Sequence, residues 1–307
     1  MVVPGPDFVS IGMPLSGTRW LYDQLSAHED VRLPKIKELH FLDRGIRAES
    51  AKKRLERQSQ RERRDNLDAA DTLFLDRYIN SPVSTELVEI EADYHRPPKQ
   101  LGGRFDRTAN IALEARHFEW YLSLFEPFKP KITGDITPGY YAVNREKIAQ
   151  FRSYCPKAKQ ILIVRRPADV VISKLKKRVR KGVMTKSEVD RSFGAGPDRS
   201  AFFQAVCRVA PTRGFQNWSS VFGEDNIHVI IFDDIVADAE TVRQELCRYL
   251  GLSVGPDSFS LAANHNRKQR KEGEEVVLDI DREAISEALH EETERCKALF
   301  GGSTANW

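Results

Sequence analysis

The chain has 307 residues and is 40% hydrophobic, enough to bury the core of one large α/β domain or two small ones. Its 48 basic and 45 acidic residues leave a net charge of +3, too small an excess to indicate nucleic-acid binding. No apolar run approaches the roughly 18 residues of a membrane span, and Met1–Asp7 lacks the basic and apolar regions of a signal peptide.

The first predicted strand, Phe8–Ile11, leads into a glycine-containing loop and then into apolar residues with helical spacing from Trp20 onwards. Gly12 and Gly17 have the spacing of a P-loop, which turns backbone N–H groups and a helix N-terminus toward a phosphate. Thr18 stands where an NTP-hydrolysing P-loop has lysine, so a nucleotide 5′-phosphate carrying an acyl or sulfuryl group fits better than ATP. An ordinary strand–turn–helix connection is the alternative.

The rest of the chain alternates strand and helix patterns. A weaker strand candidate lies at Lys131–Gly134, and two clear ones lie at Gln160–Val164 and His228–Phe232. The clear runs are short and β-branched, as strands buried on both faces are, and a helical pattern follows each. We therefore predict a three-layer α/β fold, with a central parallel sheet, helices on both faces and a P-loop-like anion-binding loop.

Two segments differ from this pattern. Residues 44–118 are rich in charge and are predicted to form a mostly helical insertion. Residues 260–307 are predicted to hold a basic loop and a short terminal helix containing Ile285, Leu289 and Leu299. Because no repeat or low-complexity linker is found, we predict one domain over residues 1–307.

The cysteines show neither metal-site nor redox-motif spacing. The four of them are Cys155, Cys207, Cys247 and Cys296. Cys207 and Cys247 fall in helical apolar patterns and are predicted to be core residues. We therefore expect a protein of a reducing compartment, the cytoplasm, without a metal site.

A second anion-binding motif follows the strand at Gln160–Val164. Arg165 lies just after the strand, where α/β folds place ligands, and Pro167 suits the first position of a helix. Arg165 and Ser173 flank the start of this helix, and a guanidinium with a hydroxyl can bind a phosphate monoester. An arginine paired with a carboxylate, beside a surface serine, is the alternative.

Together these motifs resemble the sulfotransferases that use 3′-phosphoadenosine 5′-phosphosulfate (PAPS). Ser16–Arg19 is similar to the end of that family's 5′-phosphosulfate loop, and Arg165–Ser173 is similar to its 3′-phosphate motif. Leu25–Val31, Glu38–Asp43 and Phe232–Leu252 match further motifs in the family's order. The resemblance covers residues 8–43 and 118–252 and is nearest to the heparan-sulfate and glycan-type branch and its bacterial relatives.

The resemblance implies a donor site. Its residues would be Leu15, Ser16, Gly17, Thr18, Arg19, Trp20, Arg165 and Ser173, joined by Arg267, Lys268 and Arg270 of a C-terminal loop that closes over the 3′-phosphate. The match of that loop is looser, and a solvated basic loop is the alternative.

The resemblance also implies catalytic residues. Glu38 falls at the position of the family's general base, which takes the proton of the acceptor hydroxyl or amine. His40 and Asp43 match positions that line the acceptor site and support the base, and Lys37 directly precedes it and could lower its pKa. The alternatives are a solvated carboxylate for Glu38, a core residue for His40 and a helix cap for Asp43.

Two lysines of the family are missing here, since Leu15 and Ile136 stand at their positions. Sulfuryl transfer is analogous to phosphoryl transfer, in which a loose transition state is stabilised by positioning and positive charge. Another cation must therefore act, and Arg19, Lys35 and Lys37 are the candidates.

The implied reaction moves a sulfuryl group from PAPS to a hydroxyl or amine of a sugar or small-molecule acceptor, with no nucleic-acid partner. The basic run Lys174–Lys181 could attract a sulfated or acidic acceptor, or form an exposed helix face. Two other functions stay open: a P-loop nucleotide kinase, although no clear aspartate for Mg²⁺ ends a strand, and a nucleotide- or glycan-binding protein without efficient catalysis.

Overall fold

The computed structural model describes residues 5–43, 67–81, 116–194, 201–265 and 276–307. Within these ranges, four parallel strands form one sheet in the order β2-β1-β3-β4. The strands are β1 (Phe8–Gly12), β2 (Gly134–Ile136), β3 (Lys159–Val164) and β4 (Ile227–Ile231). This confirms the predicted parallel α/β fold.

Three predicted strands lie within one residue of the observed ones, whereas the fourth was misplaced. The strand expected at Lys131–Gly134 begins only at Gly134, and Asp135 lies inside it, opposite Val9 of β1. A prediction based on runs of apolar residues does not place an aspartate inside a buried strand. This carboxylate is accepted because three hydroxyl groups donate hydrogen bonds to it.

Helices surround the sheet, and a further helical stretch covers residues 116–123. They are α1 (Thr18–Ser26), α2 (Ala69–Asn80), α3 (Arg145–Tyr154), α4 (Pro167–Arg180), α5 (Lys186–Phe193), α6 (Ala201–Val206), α7 (Pro211–Phe222), α8 (Phe232–Ala237), α9 (Ala239–Leu250), α10 (Arg282–Ala288) and α11 (His290–Phe300). The predicted single terminal helix is therefore two, with Leu289 between them.

Two apolar cores lie on opposite faces of the sheet, because side chains alternate along each strand. Leu162 and Val164 of β3 belong to one core, with α4 and α7. Ile161 and Ile163 of the same strand belong to the other, with α1 and α9. These helices complete the three layers that the sequence predicted.

The predicted insertion is described only in part. Within residues 67–81, Asp68 caps α2 by accepting a hydrogen bond from the Asp71 N–H at 2.9 Å. Arg32 forms ion pairs of 2.6 Å with both carboxylates and ties the helix to the segment after α1. The other residues of the insertion lie outside the described ranges.

No helix among the described residues is both long and apolar enough to cross a membrane. All four cysteines are buried and free, which confirms Cys207 and Cys247 as core residues.

Candidate active site

The loop between β1 and α1 is a tight backbone turn at the carboxyl edge of the sheet. Met13 N–H donates to the Ile163 carbonyl at 2.8 Å, which anchors the loop to β3. Leu15 and Gly17 have φ values of 67° and 100°, in the left-handed region. A Cβ at Gly17 would also lie 3.2 Å from the Phe232 ring, so glycine suits both the conformation and the close approach.

Ser16 in this loop has an unsatisfied polar group. Its side chain is fully buried, and its hydroxyl has no hydrogen-bond partner among the described residues. Leaving a buried hydroxyl unpaired costs about 1–3 kcal/mol, so its position beside the N-terminus of α1 suits an anionic ligand that accepts the missing bond.

Arg165 brings the two predicted anion motifs together. Its Nη1 atom donates to the Leu15 carbonyl at 3.2 Å and to the Ser173 hydroxyl at 3.3 Å. The guanidinium carbon lies 4.4 Å from the centre of the Phe232 ring, a cation–π contact that orients its planar face. The first loop, the end of β3 and α4 therefore meet at one arginine.

Lys37 is the lysine that reaches the loop. Its Nζ atom donates to Thr18 Oγ1 at 3.2 Å and lies 3.7 Å from Glu38 Oε1. Burial lowers the pKa of Lys37 to about 8, although the neighbouring Glu38 carboxylate opposes this shift. The structure does not bring Lys35 to the loop, because its Nζ lies 4.0 Å from Asp71 of α2. Arg19 is exposed at the start of α1, and its charge further lowers the pKa of Lys37.

Glu38, His40 and Asp43 form a connected chain of charged groups. His40 Nε2 lies 3.5 Å from Glu38 Oε2, and His40 Nδ1 lies 3.0 Å from Asp43 Oδ1. Burial alone would lower the pKa of His40, but hydrogen bonding to Asp43 and Glu38 outweighs it and raises the pKa to about 9. The imidazole is therefore a cation at neutral pH, held between two carboxylates.

The backbone of this segment adopts unusual conformations. Glu38 and His40 have φ values of 68° and 60°, which residues other than glycine adopt at an energetic cost and which cluster at functional sites. A Cβ at Gly139 would lie only 2.0 Å from Asp43 Oδ2, so glycine at this position leaves room for the Asp43 carboxylate beside His40.

A buried carboxylate that the sequence analysis did not assign to the site supports this segment. Asp135 accepts hydrogen bonds from Tyr140 at 2.6 Å, Thr137 at 2.7 Å and Tyr121 at 3.0 Å. Burial raises the pKa of Asp135, and the three hydroxyl donors oppose that shift. The signal that could have found it is an aspartate directly before Ile136 in a short apolar stretch.

Two of these hydroxyls continue to the charged segment. His40 N–H donates to Thr137 Oγ1 at 3.4 Å, and Phe41 N–H donates to the Tyr140 hydroxyl at 3.1 Å. Asp135 is thereby connected to the backbone that presents Glu38, His40 and Asp43.

For the C-terminal part of the predicted donor site, the structure describes only the chain that leads to it, up to residue 265. Trp20 of α1 donates from Nε1 to the Ala263 carbonyl at 2.7 Å. Gln24 donates to the Ala262 carbonyl at 3.0 Å, so the chain leading to the basic loop runs beside α1. Arg267, Lys268 and Arg270 lie outside the described residues and remain predictions.

In the part of the chain that is described, no group of three or more histidine, cysteine, aspartate or glutamate side chains has an arrangement that could hold a metal ion.

The chain belongs to the sulfotransferase family: the family model described as "Sulfotransferase family" matches residues 6–256. Its fold is similar to that of a sulfotransferase from Alicyclobacillus acidocaldarius, with a TM-score of 0.54 and 19% identity over 97% of this chain and 96% of that one. The sulfotransferase domain of the curacin biosynthetic pathway gives a TM-score of 0.51 and 18% identity over 97% and 98% of the two chains. At these identities the solved structures show the fold alone. No curated protein sequence matches the chain.

Proposed function

We propose that this protein transfers a sulfuryl group from PAPS to a hydroxyl or amine of a sugar or small-molecule acceptor. Family membership supports sulfotransfer. The hydrogen bond between Arg165 and the β1–α1 loop supports PAPS as the donor, and Glu38 supports a hydroxyl or amine as the acceptor. PAPS would supply an activated sulfuryl group whose in-line transfer leaves 3′-phosphoadenosine 5′-phosphate (PAP). The chain's residues would bind that donor, supply positive charge and accept the acceptor's proton.

The described donor residues fit such a nucleotide. The buried, unpartnered hydroxyl of Ser16 and the N-terminus of α1 suit the 5′-phosphosulfate. Arg165 and Ser173, which already share a hydrogen bond, suit the 3′-phosphate. Leu15, Gly17, Thr18, Arg19 and Trp20 complete the proposed donor site.

The observation that carries the proposal is the contact between Lys37 and Thr18. The chain has Leu15 and Ile136 where the resembled enzymes have lysines, so transfer requires a different cation at the loop. Lys37 Nζ lies 3.2 Å from the Thr18 hydroxyl and beside Glu38, which joins positive charge, donor loop and candidate base in one site. We therefore assign the missing charge to Lys37.

Glu38 is the better general base of the two candidates. The pKa of His40 is raised to about 9, so its imidazole holds a proton at neutral pH and cannot accept another. That cation stabilises the ionised Glu38 carboxylate, which is the form that accepts the acceptor's proton. His40 and Asp43 would then orient Glu38.

Thermal unfolding with PAP and with ATP tests the proposal. A PAPS-dependent enzyme is stabilised by PAP and ignores ATP at the same concentration, whereas a nucleotide kinase shows the reverse. Turnover of labelled PAPS with a panel of acceptors then separates an enzyme from a nucleotide- or glycan-binding protein. PAP binding without turnover for any acceptor favours the binding protein.

We also propose that the protein acts in the cytoplasm, because its four cysteines are free, as is typical of proteins in a reducing compartment.

A further inference from the structure

A cavity of about 740 Å³ adjoins the donor loop. Its lining residues include Met13, Leu15 and Asp43, so it reaches both the loop and the charged segment that presents the candidate base. Arg165 and Ser173 are not among its lining residues, which places the cavity beside the proposed 3′-phosphate site rather than within it.

The cavity is strongly basic. Four cationic side chains line it against the single carboxylate of Asp43, which already contacts His40. They are Lys147, Lys174, Lys177 and Arg208. The whole chain carries a net charge of only +3, so these four side chains, here called the cationic wall, concentrate positive charge at one place.

Three of these cations have no carboxylate partner among the residues that the structure describes. Within the described ranges, Lys174, Lys177 and Arg208 form no ion pair with a carboxylate. Lys174 is half-buried, and its Nζ lies 3.5 Å from the Val206 carbonyl. Burial and the Arg178 charge lower the pKa of Lys174. Bringing together cations that the described residues leave without a carboxylate costs free energy that a bound anion would offset.

We propose that the acceptor carries an anionic group, a phosphate, sulfate or carboxylate, which Lys174, Lys177 and Arg208 bind while its nucleophile lies near Leu15 and Asp43. This inference rests on the proposed function, because it names the substrate class of the same site. The cationic wall and the donor loop line one cavity, so a single small molecule can contact both. Two residues of the basic run after Ser173, Lys174 and Lys177, are thus assigned to binding the anionic group of the acceptor.

The test uses pyrophosphate as a probe, with the protein saturated with PAP so that the donor site is filled. Pyrophosphate is expected to raise the melting temperature above that in sodium chloride of equal ionic strength. Calorimetry on a Lys174→Gln/Lys177→Gln/Arg208→Gln variant is expected to show at least about tenfold weaker binding. Lys181→Gln is the matched control, since Lys181 is exposed just beyond α4 and does not line the cavity. Sulfate and malonate then distinguish the three anion types.

Equal pyrophosphate binding by the wild type and the triple variant overturns the proposal, as does no binding beyond the chloride control. If the triple variant does not fold, Lys177→Gln at an exposed position is measured instead and is expected to weaken binding alone. The proposed function is judged separately by PAP. Pyrophosphate binding that depends on Lys177 without PAP binding keeps the anion site and rejects PAPS chemistry, whereas PAP binding without anion binding does the opposite.

Discussion

The Tyr140 hydroxyl lies 2.6 Å from the Asp135 carboxylate and accepts a hydrogen bond from the Phe41 N–H at 3.1 Å. One hydroxyl thus joins a fully buried acid in β2 to the segment that holds His40 and Asp43. Because Asp135 is held by three donors, its position fixes the position of that segment, whose backbone includes left-handed conformations.

We predict that Tyr140→Phe slows turnover without weakening PAP binding. The variant loses one bond to Asp135 and the acceptor for Phe41 N–H, so unfolding free energy should fall by about 1–3 kcal/mol. Tyr121→Phe is the matched control, because it also loses one hydroxyl bond to Asp135 but leaves the Tyr140–Phe41 bond intact. Steady-state kinetics and calorimetry with PAP compare the two. Equal losses of turnover in both variants would mean that the Tyr140–Phe41 bond has no specific role in positioning the charged segment.

The strands β1, β3 and β4 could be predicted from sequence because most of their side chains are apolar and many of these are β-branched. The strand β2 could not, because the burial of Asp135 depends on hydroxyls from Tyr140 and from Tyr121, which lies fourteen residues earlier. The pattern of one segment does not record partners that only the fold supplies.

The same limit applied to the candidate site. Resemblance pointed to Glu38, but the choice of cation among Arg19, Lys35 and Lys37 depended on which side chain the fold turns toward the loop. Lys37 contacts Thr18 across nineteen residues of sequence, and Lys35 turns to Asp71 of the insertion. The roles assigned to these residues remain predictions.

The charge of His40 should make stability depend on pH. Its pKa is about 9 in the folded protein against 6.5 for the ordinary side chain, so protonation favours the folded state. The contribution is complete below about pH 6.5 and is lost as pH rises through 9, with a size of up to about 3 kcal/mol. His40→Asn removes the titration and suits the left-handed backbone. In denaturant unfolding, the wild type should exceed the variant at pH 6 and approach it by pH 9.5. A constant difference across this range contradicts the assigned protonation.

Arg165 should distinguish the phosphates of the donor. Arg165→Ala removes the guanidinium that contacts Leu15, Ser173 and the Phe232 ring. PAP affinity should fall by about 10²-fold, whereas adenosine 5′-phosphosulfate, which lacks the 3′-phosphate, should lose much less. Calorimetry with both ligands measures the difference, and equal losses for both would place Arg165 elsewhere in the site. Arg152→Ala, at an exposed position of α3, controls for loss of positive charge.

Lys37 should make PAP binding weaken as pH rises. Its pKa of about 8 in the free protein means that its positive charge is present at pH 7 and largely lost by pH 9. PAP affinity should therefore fall severalfold between pH 7 and pH 9. Lys37→Arg keeps its charge at both values and should remove this dependence, while Lys35→Gln should leave it as in the wild type. Calorimetry at pH 7 and 9 is the measurement. The same decline in Lys37→Arg would assign the titration to another group.

Glu38→Gln should separate binding from chemistry. The substitution keeps the shape of the side chain and removes its basicity, and it also removes one of the two carboxylates beside His40. PAP affinity should survive, while turnover should fall by roughly 10²–10⁴-fold, the usual effect of losing a general base. Glu38→Asp, which keeps a carboxylate one methylene shorter, should recover part of the rate. The pH–rate profile of the wild type gives a second test, because a His40 base would gain activity only as pH approaches 9. Near-normal turnover in Glu38→Gln would transfer the role to His40.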